Sequence, residues 1–208
     1  MENEAEPIIR AMKAERNIVF CGKRILTGRL FGQKVGIVVC GVGKVNAACG
    51  TQIAVDELGA EEIINVGVAG GLNSTLKVGE IYEISHAVQY DFDLTQLNGT
   101  PIGTLDECKE NYLPLSVTGA FPTKRLATGD RFNDSQSDYR LLTDTLEADI
   151  RDMEGGAVAQ VCMHANVKCR SVKIISDLAR SGSTTEQFKR NLSLCFKTLE
   201  HSLEKILG

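Results

Sequence analysis

No cluster of lysine or arginine stands out along this chain, and the formal net charge is only −4. A nucleic-acid footprint needs a basic patch or stripe, so nucleic acid is not an expected partner. No apolar run is long enough to cross a bilayer; the longest, such as Val35-Gly36-Ile37-Val38-Val39-Cys40, are strand-sized. The opening Met-Glu-Asn-Glu has neither a basic n-region nor an apolar h-region, which makes a cytoplasmic location the expectation. There is no C-x-x-C pair: Cys21, Cys40, Cys49, Cys108, Cys162, Cys169 and Cys195 are scattered and odd in number. They read as free, mostly buried thiols of a reducing compartment. Cys162-Met163-His164 sets a thiol near an imidazole, but nothing supplies further ligands at metal spacing, and no metal is expected.

Repeats, low-complexity segments and linkers are also absent. What is there, 208 residues with 43% hydrophobic and 24% charged, suits one globular α/β domain over residues 1–208 with a large core. Ile25 to Phe31 and Val35 to Cys40 read as strands, and Val45 to Leu58 as a helix closed by Gly59. Short strands follow at Glu62 to Val66 and Glu80 to Gln89, then a long loop from Tyr90 to Pro114. Arg125 to Thr128 and Lys168 to Ile175 read as strands, Tyr139 to Leu146 and Gly156 to Asn166 as helices. A terminal helix over Thr184 to Leu207 carries Phe188, Leu192, Cys195, Leu199 and Leu203 at spacings of three or four, with Thr184 as its N-cap and Gln187 completing a capping box.

Two carboxylates stand out. Glu154, in Asp152-Met153-Glu154-Gly155-Gly156, falls where a strand becomes a helix, and Asp177, in Ile174-Ile175-Ser176-Asp177, falls at the tip of a buried strand. Acids at neighbouring strand ends can share one small molecule, one holding it and one donating a proton. Three glycine-rich turns, Gly41-Val42-Gly43, Gly67-Val68-Ala69-Gly70-Gly71 and Gly129-Asp130, follow expected strands. In open α/β sheets that is where ligands bind. The first lacks the third glycine of a dinucleotide fingerprint, Asn46 standing there, and no Walker spacing occurs, so neither nicotinamide nor ATP is supported.

These segments, taken in order with Leu76-Lys77-Val78-Gly79-Glu80-Ile81 and Thr128-Gly129-Asp130-Arg131-Phe132, resemble the 5'-methylthioadenosine/S-adenosylhomocysteine nucleosidases of the nucleoside phosphorylase superfamily. The resemblance covers nearly the whole chain. It implies an α/β fold of three layers, α/β/α, around a mixed, partly barrel-like sheet. It also implies a homodimer, an adenine nucleoside as small-molecule partner, and cleavage of the adenine–ribose bond by water with no cofactor or metal.

Carried onto this sequence, the resemblance makes Asp177 the general acid that protonates adenine N7, aided by Ser176. Such an acid needs a raised pKa, from burial or from the purine. Glu154 would grip the ribose 2'- and 3'-hydroxyls and stabilise positive charge on the sugar. Met153 would pack on the ribose or simply fill core, Phe132 would stack on adenine or pack in the core, and Asn133 would offer its backbone to the base edge. Val68, Ala69 and Gly70 would line the substrate. Glu4 matches the glutamate that activates water, with Glu2 and Glu6 as alternatives. The 5' substituent would lie against apolar side chains, from the Tyr90 to Leu97 loop or from a partner subunit.

The chain departs from the family in three places. The apolar strand that precedes Glu4 in the family is missing, so Glu4 is expected on a frayed terminus and the neighbouring strands with unpaired backbone groups. Val68 replaces a frequent serine, and Lys173 replaces an arginine that helps position the nucleophile. Arg10, Arg16 and Arg24 lie outside any glycine-rich turn, so water is favoured over phosphate. A phosphate-dependent phosphorylase, or a nucleoside binder with impaired catalysis, remains the alternative.

Overall fold

The computed structural model describes residues 1–208. Helix α1 (Glu2–Ala11) precedes an antiparallel meander of β1 (Lys13–Phe20), β2 (Lys23–Leu30) and β3 (Gln33–Val39). Next come α2 (Lys44–Leu58), β4 (Glu62–Gly71), β5 (Ile81–Gln89), the short α3 (Thr95–Asn98) and β6 (Leu113–Pro114). β7 (Thr123–Thr128), α4 (Gln136–Arg140) with a π-helical turn at Leu141–Thr145, and β8 (Ile150–Asp152) lead to α5 (Gly155–Ala165), β9 (Lys168–Leu178) and α6 (Thr184–Leu207).

β5, β7, β8, β4 and β9 are hydrogen-bonded in that order, and β9 returns to β5, closing a five-stranded barrel. β5–β7, β7–β8 and β4–β9 run parallel, while β8–β4 and β9–β5 run antiparallel. The mixed, barrel-like sheet expected from the resemblance is the one observed, with α2 and α5 packed together on one side and α6 against β9 on the other.

Apolar patterning explains this arrangement. β9 is buried along nearly its whole length, as a strand covered on both faces must be. Ile175 packs with Ile84, Leu126, Ile150 and with Ala157, Val158 and Cys162 of α5. Val172 and Ile174 face Cys195, Leu199, Leu203 and Ile206, the spaced apolar row of α6. Gly59 closes α2 in the left-handed conformation, as the sequence suggested. No helix is long and apolar enough to cross a membrane.

Several expectations need correction. Gly67 to Gly71 is not a turn but the second half of β4. Only three of the seven free thiols, Cys162, Cys169 and Cys195, are buried, and Cys21 is exposed in the β1–β2 turn. The Tyr90 to Pro114 segment carries α3 and β6 within it. The N-cap of α6 is Ser183, whose hydroxyl accepts from the Glu186 N–H at 3.3 Å, rather than Thr184. α1, β1 and β8 had no clear signal in the sequence. Within the sheets β3 pairs only with β2, and β4 meets β8 only at Gly70 and Gly71.

Leu126 is fully buried in the main core, whereas Val19 on β1 is 74% exposed. Leu126→Ala is expected to lower the unfolding free energy by about 2–5 kcal/mol, and Val19→Ala to change it by less than about 0.5 kcal/mol. Urea titrations of both variants read the difference.

Candidate active site

The acids identified in the sequence occupy adjoining strand ends. β8 stops at Asp152, and Glu154 is the residue from which α5 starts. On the other side of β4, Asp177 lies one residue from the end of β9. Gly70 of β4 is paired with Arg151 of β8 on one edge and with Asp177 on the other. The three residues form a row across the sheet.

A register shift puts Asp177 in that row. Ala69 pairs with Ile175, but Gly70 pairs with Asp177, so Ser176 is an extra residue in β9. Side chains alternate along a strand, and one inserted residue turns everything after it to the opposite face. Lys173 and Ile175 therefore face one way and Asp177 the other. Gly70 makes room for this: a Cβ there would lie 2.9 Å from Asp177 Oδ1 and 3.2 Å from Arg151 Nε. Gln187 of α6 secures the strand end, donating to the Leu178 carbonyl and accepting from the Leu178 N–H, both at 3.1 Å. The capping-box role expected for Gln187 is thus replaced by a clamp beside the acid.

Ser176 Oγ donates to Asp177 Oδ2 at 2.7 Å. Burial pushes the Asp177 carboxyl above the ordinary aspartate range, and the nearby Asp134 carboxylate adds to this. The Ser176 hydroxyl and the Arg151 guanidinium pull the other way without cancelling it. The result is a carboxyl that holds its proton more readily than a solvated one.

The second group of charges sits on the opposite face. The Lys173 ammonium lies 2.9 Å from Asp152 Oδ2, with side chains 2% and 1% exposed. Burial disfavours the ammonium, yet the Asp152, Glu154 and Glu4 carboxylates hold its pKa above the ordinary lysine value. Glu154 Oε1 accepts from the Gly43 N–H at 2.8 Å. Burial and then the Asp152 carboxylate push the Glu154 carboxyl up, against the lowering pull of Lys173 and the Gly43 N–H.

Glu4 is not on a frayed end. It lies in the first turn of α1, its side chain 14% exposed, with Oε1 accepting from the Val68 N–H at 3.0 Å and Oε2 2.5 Å from the Met1 ammonium. Gly67 leaves the space it fills: a Cβ there would lie 3.0 Å from Glu4 Oε1 and 3.7 Å from Lys173 Nζ. Of the two alternatives, Glu2 pairs with Arg24 at 3.1 Å and is exposed, as is Glu6. Glu4, Glu154, Asp152 and Lys173 thus form one cluster.

The remaining expected residues are distributed around these two groups. Val68 meets the cluster through its backbone N–H, while its side chain packs towards α6. Ala69 is buried beside it. Phe132 is 48% exposed and stacks edge-on against Phe188 of α6, ring centroids 5.5 Å apart, so it is not a core residue. The Asn133 side chain is engaged with Asp138 and the Ser135 N–H. Met153 is half-buried between Asp152 and Glu154. Cys162 is buried and His164 pairs with Glu107 at the surface, so that thiol and imidazole do not converge. Arg151 and Asp152 carried no site role in the sequence, and Gln187 only a capping one. The one signal available was their position next to the acids, and an Arg-Asp pair there has no spacing that marks it.

The whole chain, residues 1–208, matches the family model described as the phosphorylase superfamily. Over 224 aligned residues it is 30% identical to a 5'-methylthioadenosine/S-adenosylhomocysteine nucleosidase of Geobacillus thermodenitrificans, covering all of this chain and 92% of that protein. It is 28% identical to the aminodeoxyfutalosine nucleosidase of Campylobacter jejuni, over 86% of this chain and 83% of the other. Among solved structures, a 5'-methylthioadenosine/S-adenosylhomocysteine nucleosidase of Colwellia psychrerythraea in complex with adenine superposes with a TM-score of 0.91 at 27% identity, covering all of this chain and 91% of that one. The closed mixed barrel, the family model matched over residues 1–208 and the 30% identity to the Geobacillus nucleosidase along the whole chain mean that the chain belongs to the phosphorylase superfamily.

Proposed function

We propose that this protein hydrolyses the N-glycosidic bond of 5'-methylthioadenosine, S-adenosylhomocysteine or a related 5'-substituted adenosine, releasing adenine and the thio-sugar. The observation that carries the reading is the split of the acids by the bulge at Ser176: Asp177, hydrogen-bonded to Ser176 beside Gly70, on one face, and the Glu4–Glu154–Lys173 cluster on the other. The nucleosidases similar to this chain over 86–100% of its length support the same reaction. The aminodeoxyfutalosine nucleosidase among them is the reason for leaving the 5' substituent open.

In this reading Asp177 gives its proton to adenine N7 as the C1'–N9 bond breaks, and the bond's electrons go to the departing base. A purine is a poor leaving group as an anion, and protonation removes that barrier. Ser176 fixes the carboxyl orientation through its 2.7 Å hydrogen bond. Glu154 accepts from the ribose hydroxyls and, as an anion, opposes the positive charge growing on the sugar. Glu4 takes a proton from the attacking water, whose oxygen bonds to C1'. Lys173 keeps three carboxylates in close quarters by balancing their charge. Phe132 offers a ring to the base, and the backbone of Val68 to Gly70 lines the other side. Arg24 is engaged by Glu2, and Arg16 is exposed on β1, which favours water over phosphate as nucleophile. A homodimer in the cytoplasm, one domain per chain, completes the reading.

Purified protein incubated with 5'-methylthioadenosine in phosphate-free buffer is expected to release adenine at a rate unchanged by added phosphate. Release only with phosphate would make it a phosphorylase. Asp177→Asn should lower turnover by about 10²–10⁴-fold while raising the melting temperature at pH 8. The sign follows from linkage: a carboxyl whose folded pKa is raised is costly to the fold once pH exceeds its unfolded value, and asparagine removes that cost.

The pH profile of kcat/KM offers a separate check. Activity should fall on the acid side as Glu154 gains a proton and on the alkaline side as Asp177 loses its own. Arg151 lowers the Asp177 pKa, so Arg151→Leu should shift the alkaline limb to higher pH; a limb that stays in place would remove Asp177 as its source.

A further inference from the structure

Three loops that are distant in sequence meet next to Glu154. The Lys44 ammonium lies 2.5 Å from Asp91 Oδ1, side chains 20% and 16% exposed. Asp91 Oδ2 accepts from the Asp130 N–H at 3.0 Å. Asp130 Oδ1 in turn accepts from the Lys44 N–H at 2.8 Å. These contacts close a ring: Lys44 side chain to Asp91, Asp91 to Asp130, and Asp130 back to the Lys44 backbone. The ring joins the turn after β3, the segment after β5 and the turn after β7.

The ring's position gives it a task. Gly43, immediately before Lys44, donates its N–H to Glu154 Oε1 at 2.8 Å. Its backbone has a φ of 94°, a conformation that side chains rarely adopt. A Cβ at Gly43 would lie 3.0 Å from Asp130 Oδ1, so the glycine also admits the carboxylate that fixes the turn. Nothing else in α2's first turn is acidic or capped by a side chain. Asp130, reaching across from β7, holds the Lys44 N–H there, and Lys44 neutralises the pair of aspartates that do so.

We propose that Lys44, Asp91 and Asp130 are positioning residues that hold the Gly43 N–H on Glu154 and so set the geometry of the ribose clamp. This rests on the nucleosidase reading for the role of Glu154. None of the three needs to touch the substrate. Their effect passes through one backbone donor, and it differs from general support of the fold in being felt at one carboxylate. Glu154 is otherwise faced by Asp152, Lys173 and Glu4, which the ring does not contact.

Asp130→Ala and Asp130→Asn separate the two roles, because asparagine keeps an Oδ1 acceptor for the Lys44 N–H and alanine does not. Asp130→Ala is expected to raise KM for 5'-methylthioadenosine by about tenfold, the scale of one hydrogen bond to a charged group. Asp130→Asn should stay within about threefold of wild type, and Lys44→Met should resemble the alanine variant. The Gly43 N–H lowers the Glu154 pKa, so its loss should also move the acid limb of kcat/KM to higher pH. Equal effects of alanine and asparagine with an unmoved acid limb would overturn the proposal, as would an alanine variant with wild-type KM. If wild-type protein releases no adenine, the nucleosidase reading fails on its own. Calorimetric titration of the same variants with 5'-methylthioadenosine then decides the positioning role, which is overturned if Asp130→Ala binds as wild type does.

Discussion

Lys173 and Asp152 form an ion pair with almost no exposure to solvent, joining β9 to β8 across β4. A buried charge without a partner is costly, and removing one member of such a pair typically destabilises a protein by about 3–5 kcal/mol. The pair is therefore poor evidence of a gain in stability but good evidence of a constraint. Glu154 and Glu4 crowd the same ammonium, and without it three carboxylates would repel one another at one strand end. Lysine serves here as a compact point charge. Against the arginine that the family resemblance led us to expect here, the positive charge is kept, while the bidentate fork is not.

The opposite face depends on one inserted residue. Without the bulge at Ser176, Asp177 would continue the alternation of Lys173 and Ile175 and join the cation's face. The bulge places the acid beside Gly70 and Arg151 instead. The bulge thereby divides the carboxyls: burial raises the pKa of both Asp177 and Glu154, but only Glu154 shares the Lys173 ammonium. Groups turned to different faces can take different roles towards one small molecule. The glycines of β4 belong to this design. Gly67 admits Glu4 and Gly70 admits Asp177, so a run that looks like a loop is a strand stripped of side chains where the two functional groups approach.

Glu4 also satisfies an edge of the sheet that no strand of this structure covers. The edge of β4 facing β8 is unpaired before Gly70, and the Glu4 carboxylate takes up the Val68 N–H on that edge. A side chain at the start of α1 thus does for one donor what a neighbouring strand would do for several. The first helical turn is what makes Glu4 a fixed group, since its carboxylate is held at one end by β4 and at the other by the Met1 ammonium.

Local features were legible in the sequence wherever they rest on periodicity or on a neighbour in the chain. The α2 stop at Gly59, the apolar row of α6, the buried run of β9, and the strand-end placement of Glu154 and Asp177 are of this kind. The order of the short motifs also carried the family resemblance. Hydrophobic patterning reports only which face is buried, so it missed β1, exposed along its whole length, and β8, only three residues long. It could not reveal the Ser176 bulge, because register is a property of two strands. Nor could it reveal the Lys173–Asp152 pair, the Gln187 clamp or the Glu4 contact with Val68, each of which joins elements far apart in the chain. The sequence by itself determined which residues can do acid chemistry; only closure of the barrel decided which of them are buried, which are paired and which face one another, because pKa and geometry depend on neighbours that tertiary structure supplies.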